Sequence, residues 1–167
     1  MAQTAALSIL EIKDLALLQQ ALDADAGNTK NWLKRMKKTA DSFASKLESF
    51  AIEKISYRWS GFAFAVLAVF SKERLGVDWD NLEYSRIANT LQKNSEAGMY
   101  IFSINDLDLL KLKPNGLFYS VEELDQFAIE FEGNQPGNRE IMKNAVEVLN
   151  LAFSKLTKQR VAVLLIE

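Results

Sequence analysis

The stretch SGFAFAVLAVF, Ser60 to Phe70, decides the fold, because its apolar run is open to three readings: a membrane span, a strand or a buried helix. Gly61 to Phe70 lies between Arg58 and Lys72 and would make about 15 Å of helix at ~1.5 Å per residue, roughly half of a ~30 Å bilayer core. It does not span a membrane. Phe62, Phe64, Val66 and Phe70 share the alternation of a strand, and Ser60-Gly61 has the residues of a hairpin turn. Three features weigh toward helix. Ser60 can act as N-cap, the alanines of the run are poor strand residues, and SKERLG places Lys72 and Arg74 in a last turn before Gly76. We therefore expect a fully buried central helix, with Gly61, Ala65 and Ala68 on a small face that another helix can approach closely.

Working outward toward the N-terminus, Ser8-Ile9-Leu10-Glu11 has the pattern of a capping box, which predicts a helix from Ile9 with Ile12, Leu15, Leu18 and Leu22 on its buried side and Ala26-Gly27-Asn28 at its end. A second helix is expected from Asn28 or Thr29 to about Glu53. Its stripe is Trp32, Met36, Phe43, Leu47 and Phe50, and the two would pair as an antiparallel hairpin. Toward the C-terminus, Asp80 or Asn81 is expected to cap a helix carrying Leu82, Ile87 and Leu91. MYIFSI, Met99 to Ile104, reads as an interior strand. NDLDLLKLKPNG reads as a short helical turn and loop. Ser120-Val121-Glu122-Glu123 opens a helix to about Phe131. EGNQPGN, Glu132 to Asn138, is the most turn-rich stretch. Asn138 caps a last helix with Met142, Ala145, Val146, Leu149, Phe153 and Leu156 on one face, and VAVLLI, Val161 to Ile166, is a terminal strand. The two strands would lie parallel, with the intervening helices as crossover, and KISYRW, Lys54 to Trp59, offers a third.

The expected fold class is thus α/β and mainly helical, five or six helices packed around a small two- or three-stranded sheet. A chain of 167 residues fits one domain, residues 1–167, with an N-terminal helical hairpin at about 8–53 and an α/β remainder at about 54–167. Hydrophobic residues at 49% and charged residues at 25% place it among globular chains rather than disordered ones.

Two zeros narrow the chemistry. The chain has no cysteine, hence no disulfide, thiolate nucleophile or thiolate metal ligand. It has no histidine, which removes the usual general base near neutral pH, the Ser-His-Asp constellation and imidazole-bound zinc or haem. No cofactor is expected. The start MAQTAALSIL lacks a basic region before its apolar residues, and the cytoplasm is the expected compartment.

Net charge is only −2, which disfavours a nucleic-acid partner, but the charge is segregated. Residues 28–58 carry a net +5 and residues 78–132 a net −7. Lys30, Lys34, Arg35, Lys37 and Lys38 flank Trp32 and form a basic helix face, either a patch for an acidic partner or an ordinary solvated surface. The acidic half offers Asp78 and Asp80 around Trp79, Asp106 and Asp108 in DLD, and Glu122, Glu123 and Asp125. A D-x-D after a strand can hold magnesium against a phosphate, but aspartates at helix starts are also ordinary caps, and no phosphate-binding glycine loop or EF-hand accompanies these. Tyr57, Trp59, Trp79, Tyr100 and Tyr119 suit core packing with an exposed polar tip better than a pocket. Of the loops, GVDWDN, Gly76 to Asn81, and EGNQPGN are the recognition candidates.

The leading expectation is a non-enzymatic binding or regulatory protein that meets a protein partner through a charged surface, with Lys30, Lys34, Arg35, Lys37, Lys38, Asp78, Trp79 and Asp80 as candidate contacts. Two alternatives stand beside it. One is a divalent-metal enzyme or small-ligand domain using the aspartate pairs, and the other is a structural homo-oligomer joined through apolar helix surface.

Overall fold

The computed structural model describes residues 4–27, 44–92, 98–109, 121–132 and 138–166. Its elements in order are β1 (Ala5–Glu11), α1 (Ile12–Gly27), the helical residues 44–50 (α2), β2 (Glu53–Ile55), α3 (Phe62–Leu75), a 3-10 turn at Trp79–Asn81, α4 (Ser85–Gln92), β3 (Gly98–Phe102), α5 (Asp106–Leu109), α6 (Val121–Glu132), α7 (Asn138–Ser154) and β4 (Arg160–Ile166). The fold is α/β and mainly helical. Its sheet is larger than expected, with four strands in the order β2-β1-β4-β3, all antiparallel.

The apolar run is helical from Phe62, as the first part of α3. Ser60 anchors its start, the hydroxyl oxygen accepting the Phe62 N–H at 3.3 Å and the carbonyl accepting the Ala63 N–H at 3.2 Å. Gly76 ends it at φ 70°, the left-handed conformation that glycine adopts without strain. The helix is not buried all round. Ala63, Phe64, Val66, Leu67, Phe70 and Ser71 are buried, whereas Phe62, Ala65, Ala68 and Val69 are only half-buried. At Gly61 the close approach is made not by another helix but by the backbone of Thr4, just before β1. A Cβ on Gly61 would sit 2.4 Å from the Thr4 carbonyl oxygen, so only glycine fits where α3 begins beside the start of β1.

Both faces of the sheet are covered. Leu7, Ile9, Phe102, Ala162, Leu164 and Ile166 face α3, α6 and α7. Leu10, Met99, Ile101, Val161, Val163 and Leu165 face α1, α2 and α4, which contribute Leu15, Leu18, Leu47, Ala88 and Leu91. Double coverage explains why VAVLLI is apolar without alternation, since its successive side chains enter opposite cores. Each such fully buried aliphatic or aromatic side chain contributes about 1.5–3 kcal/mol.

Several sequence-based expectations are corrected. Ser8 to Glu11 does not start a helix: it belongs to β1, which pairs with β4 from Ala5 opposite Ile166 to Glu11 opposite Arg160 and with β2 on its other side. The Glu11 carboxylate meets Lys13 Nζ at 2.5 Å. The N-terminal segment is therefore not a helical hairpin alone, because its first strand lies inside the sheet. The second helix stops at residue 50 rather than near Glu53, and its stripe residues Trp32, Met36 and Phe43 lie outside the described residues. The third strand foreseen in Lys54 to Trp59 is present as β2 but shifted to Glu53–Ile55. β3 and β4 run antiparallel, not parallel, with Gly98 opposite Ile166 and Phe102 opposite Ala162. Among the described residues β3 is also an edge strand rather than an interior one. Its apolar character on both faces comes from helices above and below it, not from strands on both sides.

The two edges are guarded differently. β2 is three residues long, and its exposed Glu53 and Lys54 bind Lys155 at 3.2 Å and Glu48 at 2.8 Å. Short charged edges of this kind resist pairing with another chain. On β3, the Gln92 side-chain amide donates to the Met99 carbonyl at 2.5 Å.

Candidate functional site

The acidic stretches at Asp78 and Asp106 come together at one end of the sheet, and the chain builds this place from α3 onward. The N–H groups of Gly76 and Val77 both turn back onto the Ser71 carbonyl, which reverses the chain at the end of α3. Asp78 is thereby brought to Lys72, with Nζ to Oδ2 at 2.7 Å. Its other oxygen accepts the Asp80 N–H at 3.1 Å and caps the 3-10 turn, while the helix expected to start at Asp80 or Asn81 begins only at Ser85 and leaves Leu82 before it. The Lys72 ammonium, and after it the Asp80 N–H, holds the Asp78 carboxyl below the usual aspartate range. Lys72 is raised in return by Asp78.

Trp79 turns inward. It is 4% exposed, and its ring stands edge-on to Tyr100 at 5.2 Å and to Phe102 at 5.1 Å between centroids. Its indole N–H is buried and has no acceptor among the described residues. The side chain thus ties the loop to β3 through ring contacts, and it lies in the core rather than on the surface.

Beyond Trp79, Leu82 is buried, and Glu83 meets the turn that follows β3. Ser103-Ile104-Asn105-Asp106 is a working capping box: the Asp106 carboxylate accepts the Ser103 N–H at 2.7 Å, and the Ser103 hydroxyl oxygen accepts the Asn105 N–H at 3.2 Å. The same carboxylate reaches across to accept the Glu83 N–H at 2.9 Å. Ser103 Oγ lies 2.5 Å from Glu83 Oε2 and 2.9 Å from Asp106 Oδ2, one hydroxyl between two carboxylates. Asn105 Nδ2 donates to Glu83 Oε2 at 3.1 Å. Asp106 is 1% exposed and Ser103 2%. A carboxylate so buried is tolerated because its two oxygens accept from two backbone N–H groups, those of Glu83 and Ser103.

Two tyrosines register these charges. Burial raises Tyr84, with Glu83 and Asp106 adding to it; burial raises Tyr100, with Asp80 and then Asp78 adding to it. Asp80, Glu83 and Asn105 remain exposed, with Ile104 among them at 37%. The result is an inner frame centred on Asp106 and an outer acidic edge. Asp106 is consumed in holding two turns together. Among the described residues, no group of three or more acidic side chains is placed to hold a metal ion.

Of the sequence-predicted contacts, the structure brings together Asp78, Trp79 and Asp80, with Trp79 facing the core. Lys30, Lys34, Arg35, Lys37 and Lys38 lie outside the described residues, as do Tyr119 and most of EGNQPGN, and so does the side chain of Asp108. Trp59 is exposed at 41%, whereas Tyr57 packs against Phe64 at 4.6 Å and donates its hydroxyl to the Ser60 carbonyl at 3.2 Å. Sequence reasoning missed Glu83, Ser103 and Asn105. The S-x-x-D spacing of Ser103 and Asp106 was the available signal for the frame, but nothing local pointed to Glu83, twenty residues away. No helix among the described residues is long and apolar enough to cross a membrane. No protein-family model, curated protein or solved structure matches the chain.

Proposed function

We propose that the chain is a non-enzymatic binding or regulatory protein of the cytoplasm that engages a protein partner through a charged surface, and that the exposed edge of Asp80, Glu83 and Asn105 around Ile104 belongs to that surface. The observation that carries this reading is the division of labour among the carboxylates. Asp106 is buried and accepts two backbone N–H groups from within the chain, while Asp80 and Glu83 are exposed. An acidic edge fixed in this way favours a basic partner surface, and it speeds encounter more than it adds affinity. The lack of histidine and cysteine supports a binding role over a catalytic one.

The test is capture of partners from lysate at low salt with the wild-type chain and two variants, Asp80→Lys and the triple Lys34→Glu, Arg35→Glu, Lys38→Glu. Stoichiometric recovery of one protein, released at high salt and lost with Asp80→Lys at unchanged melting temperature, is the expected result. Loss with the triple variant alone would move the interface to the basic run. Capture indifferent to salt and to both variants would overturn the charged-surface reading. Magnesium added to the same samples tests the aspartate-pair alternative, which requires a rise in melting temperature that Asp78→Asn or Asp106→Asn abolishes.

A further inference from the structure

We draw no further inference here: the strongest candidate, the half-exposed aromatic face where Phe62 of α3 meets Phe131 of α6 at 6.1 Å, is an unpartnered apolar surface, and nothing in the structure shows what covers it.

Discussion

Asp78 and Asp106 each begin a triplet of aspartate, large apolar residue and aspartate, yet the fold uses them in opposite ways. Asp78 stays at the rim with its side chain 26% exposed, joined to Lys72 and to one N–H group of its own turn. Asp106 is enclosed and takes donors from two separate segments. The apolar residue between the aspartates does not account for this, since Trp79 is the more deeply buried of the two and Leu107 only half-buried. What differs is whether a second segment supplies donors. A carboxylate can leave water only where such donors wait, so a tertiary neighbour, and not the triplet, sets its role.

The comparison can be broken most directly at Asp106. Asp106→Ala leaves the Ser103 and Glu83 N–H groups without their acceptor in a buried place, at about 1–3 kcal/mol for each, so urea denaturation should show a loss of about 3 kcal/mol or more. A loss no greater than that of Asp78→Ala would sink the distinction between the two sites. Ser103→Ala keeps the backbone bond to Asp106 but removes the hydroxyl lodged between two carboxylates. A loss of about 2 kcal/mol is expected, and a stability equal to wild type would mean that the hydroxyl bridges nothing.

Gly76→Ala sharpens the other side. No atom lies within 4 Å of the added Cβ, so the cost is the left-handed backbone alone, about 1 kcal/mol by chemical denaturation. A much larger loss would show that the turn into Asp78 is as constrained as the frame around Asp106. Asp78→Ala should lower the melting temperature by at most about 3 °C, because an exposed ion pair and the cap of a short turn contribute little. Its pH dependence has a definite sign. Lys72 lowers Asp78 in the folded chain, so the contribution is present above the ordinary aspartate value of about 4 and is lost as pH falls through the lowered one. Wild type and Asp78→Ala should therefore converge in acid.

The smallest expected effect reads the two acidic groups separately. Asp78→Asn with Asp80→Asn should lower the titration midpoint of Tyr100, followed by phenolate absorbance against a Tyr100→Phe reference, and leave Tyr84 in place. Movement of both tyrosines together would mean that the outer edge and the inner frame form one electrostatic unit.

Local pattern was enough for the elements whose partners are near in sequence. Ser60 and Gly76 bracket α3, and the period of Met142, Ala145, Leu149 and Phe153 marks the buried side of α7. At β1 the local pattern misleads: Ser8 and Glu11 have the spacing of a capping box and Ile12, Leu15 and Leu18 continue a helical period, which begins only after the strand. No local signal tells a serine that caps a helix from one whose backbone is claimed by β2 and β4, which lie about 45 and 155 residues away along the chain.

The amino-acid sequence by itself determined a mainly helical α/β chain with a strongly apolar terminal strand, and it excluded chemistry that requires histidine or cysteine. Tertiary structure decided the rest: four strands in place of two or three, the antiparallel run of β3 beside β4, and the burial of Asp106 against Glu83. Helical hydrogen bonds close within four residues and leave a periodic trace in the sequence. Strand pairing and the desolvation of a carboxylate depend on groups that only the folded chain brings within reach.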